Sequence, residues 1–294
     1  MSVTKRLVSA VAAAALMASM ALTGCAGGGN APTAGGDAGT GGSGGAATEL
    51  VEFDATSDAL AALQAGNVEA VVFDEPVAIE QVGTTYTDAE IVEVIPTGEQ
   101  YGFAVAKENP ELNAAVNQAL VDLKADGSFD TLFEKWFPGV SIPALTPSAD
   151  APVAPTPAAD LHLVTPGVLT VGSDCDYPPF IAMEGETPVG FEYELMQEVG
   201  AKLGLEVVYL SPQNFSSIVA SVAAATKMDI GVSSFTINDE RLELVDFCIP
   251  YFDSNQAVVA LKSKGYTSAE DLRGKKVASQ SGTTGSDWVR ENLM

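Results

Sequence analysis

The sequence predicts an α/β fold, and three observations carry that prediction. Short apolar runs of strand length recur along the chain. They alternate with longer segments whose apolar residues fall at helical spacing. Gly, Pro and Asn stand at the joins, where caps and turns need them. Strands alternating with helices imply lobes built on mostly parallel sheets.

Taken in order, residues 57–65 carry Leu60 and Leu63 at helical spacing and stop at Gly66, a C-terminal signal. Residues 68–73, VEAVVF, read as a strand running into Asp74-Glu75-Pro76. Residues 110–126 read as a helix: Asn109 can cap it, Pro110 suits its first position, Leu112, Val116, Ala119 and Leu123 share a face, and Gly127 closes it. A shorter helix follows at 129–137. Residues 139–166 are rich in Pro and Ala. They read as an extended, semi-rigid linker which, at about 3.1 Å per residue, reaches far enough to cross one lobe. Beyond it come a strand at 169–172, an amphipathic helix at 191–203 ended by Gly204, a strand at 205–210, a helix at 216–226 and a strand at 229–233. A short helix starts at Asp239, strands lie at 256–262 and 276–279, and a last helix starts at Gly285.

The front of the chain is a targeting segment. Lys5 and Arg6 form a basic region, residues 7–21 an apolar stretch, and Leu22-Thr23-Gly24-Cys25 resembles a bacterial lipobox. Residues 1–24 are therefore expected to be a lipoprotein signal peptide, with lipid on the Cys25 thiol. The alternative is a small-residue signal end in which Cys25 is incidental. Lipidation would hold the protein at the cell membrane of a bacterium, on its extracytoplasmic face. Residues 25–48, rich in Gly, Ala, Ser and Thr, are a flexible tether. What remains suffices for one two-lobed domain or two small ones.

Acidic residues number 39 against 14 basic, for a net charge of −25. That excludes nucleic-acid binding, which needs a basic face, and suits a solvated exported surface. Apart from Cys25 there are two cysteines, Cys175 and Cys248; a disulfide and two free thiols both stay open. The single histidine, His162, lies in the Pro/Ala-rich linker. Without HExxH, CxxC or a spaced His/Asp cluster, no metal site and no cofactor is expected.

The order of the segments is unusual. Residues 101–138 read like the end of a protein and 167–180 like the start of one, while the chain stops at SGTTGSDWVRENLM in what reads as mid-domain. The stretch that would naturally follow, ATELVEFDATSDALAALQAG, sits near the front.

Here a resemblance becomes specific. LTVGSDCDYPPF, PVGFEYEL, LSPQNFSSIVASV, MDIGVSSFTINDERLELVDFCIPYF and LRGKKVASQSGTTG resemble the first half of a family 3 solute-binding protein, the polar amino-acid receptors of ABC importers. LAALQAGNVEAVVFDEP, YGFAVAKENPELNAAVNQALVDL and FEKWF resemble that family's second half. Each motif alone is weak; together they cover nearly all of residues 48–138 and 167–294. The resemblance implies an α/β, two-lobed periplasmic-binding-protein-like (type II) fold with a hinge, circularly permuted. Residues 49–100 would be the second part of lobe 2, 101–138 the C-terminal part of lobe 1, 139–166 the permutation linker, 167–255 the first part of lobe 1 and 256–294 the first part of lobe 2. Glu192 and Glu194 stand where the family has Asp, which reads as surface variation.

The resemblance also implies a ligand cleft between the lobes. Arg241 matches the Arg that grips the α-carboxylate, a role suited to a guanidinium's two parallel charge-assisted bonds. On its own, an Arg near a helix start is ordinarily an exposed charge. Asp74 matches the carboxylate that pairs with the α-ammonium; without the family it reads as a turn or cap residue. Thr236, Thr283 and Thr284 match donors to the carboxylate, and a turn at a helix N-terminus presents free N–H groups. Side-chain selection falls to Asp174, Tyr177, Phe215, Ser233, Ser234 and Gln280. Tyr177 and Phe215 match an aromatic pair that sandwiches the ligand side chain, and with Asp174 they lean toward a basic or amide amino acid. No catalytic residue is implied. The partners are an amino acid and an ABC permease, and a monomer is expected, closing about hinges near 97–101 and 251–255. Two alternatives stand beside this reading: a cyclohexadienyl or arogenate dehydratase on the same cleft, and a remnant of a tandem duplication that is non-functional or pairs by domain swapping.

Overall fold

Polar caps and glycines set the element boundaries in the computed structural model, which describes residues 47–294. The signal segment, the lipobox with Cys25 and almost all of the tether lie outside the described residues. The front half runs β1 (Glu49–Phe53), α1 (Thr56–Gln64), β2 (Ala70–Asp74), α2 (Glu75–Thr84), β3 (Ala89–Tyr101), β4 (Ala104–Ala106), α3 (Pro110–Asp126) and α4 (Ser128–Trp136). The rear half runs β5 (Val168–Gly172), β6 (Asp176–Tyr177), β7 (Ile181–Glu184), β8 (Thr187–Val189), α5 (Phe191–Leu203), β9 (Glu206–Tyr209) and α6 (Phe215–Ala223). It continues through β10 (Ile230–Gly231), α7 (Asp239–Leu244), β11 (Val245–Phe247), β12 (Phe252–Leu261), β13 (Lys276–Gln280) and α8 (Thr284–Asn292).

The predicted caps form. Asn109 accepts from the Leu112 N–H at 3.2 Å, Pro110 opens α3, and Gly127 closes it at φ 84°. Gly204 ends α5 at φ 68°. Two caps at the site were not foreseen, Asn214 on α6 and Asn238 on α7; with Thr283 on α8, each accepts from a backbone N–H two or three residues on.

Two five-stranded sheets define two lobes, as expected. One has the order β1-β13-β2-β12-β3 and the other β11-β4-β10-β5-β9; β6-β7-β8 form a small separate sheet. The first and last strands of the chain are neighbours: β1 lies parallel to β13 from Glu49↔Lys276 to Phe53↔Gln280. The chain passes between the sheets twice, between Tyr101 and Ala104 and between Phe247 and Phe252. At these crossings β3 and β12 pair antiparallel, beginning at Phe252↔Tyr101. An aromatic cluster packs there. Phe252 lies 4.7 Å from Phe137 and 4.8 Å from Phe180, and Tyr251 stacks on Phe103 at 4.4 Å.

Several elements carried no usable signal. The strands β6, β7 and β8 span two to four residues, too few to show a period. The long β3 has an irregular burial pattern and a bulge. Helix α2 starts at the Asp-Glu-Pro sequence read as a turn; Pro76 in its first turn is a helix-start signal that the turn reading passed over.

The Pro/Ala-rich segment is not a free spacer. It straps lobe 1, with Leu145, Ala151 and Leu161 buried in the main core. Buried Asn117 of α3 and its cap residue Asn109 hold it: Asn117 Nδ2 donates to the Pro152 carbonyl at 2.9 Å and Asn109 Nδ2 to the Leu161 carbonyl at 2.7 Å. Among the described residues, Cys175 and Cys248 are both free and buried and do not form a disulfide.

Candidate functional site

The cleft opens at the carboxyl ends of the parallel strands in both sheets, where open α/β sheets place ligand sites. It encloses about 380 Å³, open mouth included. All eleven residues assigned to the ligand line it: Asp74, Asp174, Tyr177, Phe215, Ser233, Ser234, Thr236, Arg241, Gln280, Thr283 and Thr284. Thr56 and Phe73 complete the lining. Neither was foreseen; Thr56 opens a helix directly after a strand, and that position alone points to the cleft rim.

Arg241 is fixed by its surroundings. Asn238 caps α7 and accepts the Arg241 N–H at 2.9 Å, placing the residue in the first turn. Its Nη1 donates to the Thr236 carbonyl at 2.7 Å and its Nη2 to the Gly282 carbonyl of the other lobe at 3.1 Å. Phe215 and Phe235 stack at 5.0 Å, and the guanidinium lies 5.6 Å from each ring centroid. Phe215 thus has Phe235 stacked against it within lobe 1. Burial lowers the Arg241 pKa, opposed chiefly by the charges of Asp74 and Glu99.

Asp74 ends β2. Its carboxylate accepts from the Tyr101 hydroxyl and from Gln256 Nε2, and its backbone N–H donates to the Tyr177 hydroxyl at 3.1 Å. The carboxylate does not cap α2. Burial first, and the neighbouring Glu99 charge second, push its pKa up to about 7. Asp174 accepts from Ser233 Oγ at 2.6 Å and from Gln280 Nε2, across the cleft, at 3.0 Å. Burial raises its pKa as well.

The lobes are closed on one another. Besides the Tyr177, Gln280 and Arg241 links, the Ser57 N–H at the start of α1 donates to Asp176 at 2.9 Å. Thr236 Oγ1 and Thr284 Oγ1 both donate to Glu99, a residue for which the sequence held no signal. Thr283 caps α8 and donates its hydroxyl to the Gln280 carbonyl at 2.7 Å.

One expectation is overturned at this site. Glu192 is not on the surface but wholly buried. Its Oε1 accepts from the Ser234 N–H at 2.7 Å, the Ser234 hydroxyl at 3.1 Å and the Tyr251 hydroxyl. It thus supports Ser234, whose φ of 48° is left-handed, from beneath the cleft. The extra methylene relative to Asp is part of the interior, because α5 turns this side chain inward. Glu194, in contrast, is partly exposed and accepts from Lys135 Nζ at 2.6 Å.

Residues 43–139 and 169–288 match the bacterial extracellular solute-binding proteins, family 3, and the chain belongs to that family. It is 37% identical over 131 residues to the L-cystine-binding protein TcyJ of Escherichia coli (strain K12), covering 43% of this chain and 48% of that protein. It is 34% identical over 115 residues to the arginine-binding extracellular protein ArtP of Bacillus subtilis (strain 168), covering 39% and 44%. The chain spans about half the length of the curated relatives it matches. Among solved structures, the arginine-bound form of domain 1 from TmArgBP is 30% identical, with 36% of this chain and 85% of that chain covered at a TM-score of 0.28.

Proposed function

We propose that this protein captures a polar L-amino acid by cleft closure and delivers it to an ABC permease. The observation that carries this reading is the opposition of Arg241 and Asp74 across one closed cleft, with Arg241 bonded to backbone carbonyls of both lobes. Arg241 takes the α-carboxylate and Asp74 the α-ammonium. An ammonium beside Asp74 would also return its raised pKa toward the ionised range. Two buried carboxylates, Asp74 and Asp174, line the cleft with a single guanidinium, Arg241, which favours a ligand whose side chain is basic or an amide. The relatives named for cystine and arginine support an amino-acid ligand without fixing which one.

The protein is anchored by lipid at Cys25 on the extracytoplasmic face and works as a monomer. It is circularly permuted, with the strap joining the old ends. Support for the permutation comes from the order of the matching motifs and from β1 pairing with β13 within one chain. In this reading residues 49–100 and 256–294 make up lobe 2, residues 101–138 and 167–255 make up lobe 1, and the hinges lie near 97–101 and 251–255. A monomer is expected in light scattering; a dimer would favour domain swapping.

A thermal-shift panel of the twenty amino acids tests the function. A ligand at about 100 Kd should add roughly 2.7 kcal/mol of stability. Arg241→Ala should abolish that shift, because a buried carboxylate then loses charged hydrogen bonds worth about 1.5–3 kcal/mol each. Undiminished binding by the variant excludes the clamp. One observation favours the dehydratase alternative: a carboxyl near pKa 7, such as Asp74, meets a general acid's requirement. Turnover of prephenate or arogenate would establish it.

A further inference from the structure

The hydroxyls assigned to the ligand's carboxylate already hold a carboxylate of this chain. Glu99 lies on β3, two residues before the first crossing, and is 9% exposed. Its Oε2 accepts from Thr236 Oγ1 at 2.5 Å and from Thr284 Oγ1 at 2.9 Å, while its Oε1 accepts from Gln256 Nε2 at 3.0 Å. Thr236 follows a strand of lobe 1 and Thr284 opens a helix of lobe 2. One carboxylate therefore ties the two lobes together.

The backbone delivers it there. The β3–β12 register moves from Ile95↔Gln256 to Glu99↔Ser254, so three residues on β3 stand opposite Asn255 alone. Within that bulge Gly98 takes φ 65° and its N–H donates to Asn255 Oδ1 at 3.3 Å. Bulges re-aim side chains in this way. The partners of Glu99 are all neutral donors. Arg241 spends both its terminal nitrogens on backbone carbonyls rather than on Glu99.

We propose that Glu99 is a built-in occupant of the α-carboxylate seat, which closes the ligand-free cleft and must give up the Thr236 and Thr284 hydroxyls before an amino acid binds. The inference rests on the amino-acid reading of the cleft. A tethered competitor acts at high effective concentration, so Glu99 sets affinity by the bonds it surrenders.

The test is calorimetric titration of the full chain and of its Glu99→Ala and Glu99→Gln variants. The probes are the twenty L-amino acids and, for each one that binds, its decarboxylated amine, such as agmatine for L-arginine. Glu99→Ala is expected to bind the amino acid at least about tenfold more tightly, the worth of one charged hydrogen bond. Its affinity for the amine should change less than about twofold, because the amine needs no carboxylate seat. Glu99→Gln, which keeps the shape and loses the charge, should fall between, and it carries the test if the alanine variant does not fold. Equal tightening of amine and amino acid overturns the proposal, as does unchanged or weakened amino-acid binding. If the folded wild-type and variant proteins bind none of the amino acids, the amino-acid reading itself fails and the proposal falls with it.

Discussion

Glu192 shows how much one buried carboxyl can do for this site. It holds the Ser234 backbone and hydroxyl on one side and the Tyr251 hydroxyl, at a crossing between the sheets, on the other. Among the described residues its Oε2 has no hydrogen-bond partner. Burial pushes its pKa from 4.5 up to about 7, against the opposing bonds from Tyr251 and Ser234. A carboxyl with a raised folded-state pKa binds its proton more tightly folded than unfolded. Between about pH 4.5 and pH 7 the native state therefore holds more protons, and stability falls as pH rises. Asp74 acts in the same direction. Urea unfolding from pH 5 to pH 8 should show this decline, and Glu192→Gln should flatten part of it; equal slopes in variant and wild type would refute the assignment. The sequence could not show this burial, since FEYEL presents two Glu residues two apart. Only the packing of α5 sends Glu192 inward and leaves Glu194 against Lys135.

At the scale of elements, local chemistry was most legible where a cap or a stop coincided with apolar spacing. α3 and α5 form with their predicted ends because Asn109, Pro110, Gly127 and Gly204 act within one turn. That the strap packs was not legible, for the complementary reason. Its composition is that of a spacer, and the three apolar residues that anchor it, Leu145, Ala151 and Leu161, follow no period. Their burial depends on Asn109 and Asn117, which meet the strap only in three dimensions. Leu161→Ala should therefore cost about 2–5 kcal/mol in urea unfolding. Val153→Ala in the same strap, at 36% exposure, should stay within about 0.5 kcal/mol. Equal effects at the two positions would mean that the strap does not pack.

At the scale of the whole molecule, function depends on how closely the lobes approach. Gly282 sits at φ 76°, and a Cβ there would lie 2.9 Å from the Ser216 Cβ on the opposite lobe. Gly282→Ala should hold the cleft partly open and weaken ligand binding by about tenfold or more; since Gly282 lies on an exposed turn, thermal stability of the ligand-free protein should fall by only a few degrees. Calorimetry and melting curves on the same variant separate the two effects, and an unchanged affinity would place closure elsewhere.

By itself the sequence determined the α/β class, the family, the ends of α3 and α5 and eleven of the residues gathered at the cleft, because these are written in local spacing and in motifs. Its order of segments raised a question about closure that residues alone leave open. Tertiary structure decided that β1 and β13, from opposite ends of the chain, form adjacent parallel strands, and that the Pro/Ala-rich segment packs as a strap. It also decided that Glu99 and Glu192 turn inward. These outcomes depend on contacts between residues far apart in sequence, and a buried carboxylate is set by the donors the fold brings to it rather than by its neighbours along the chain.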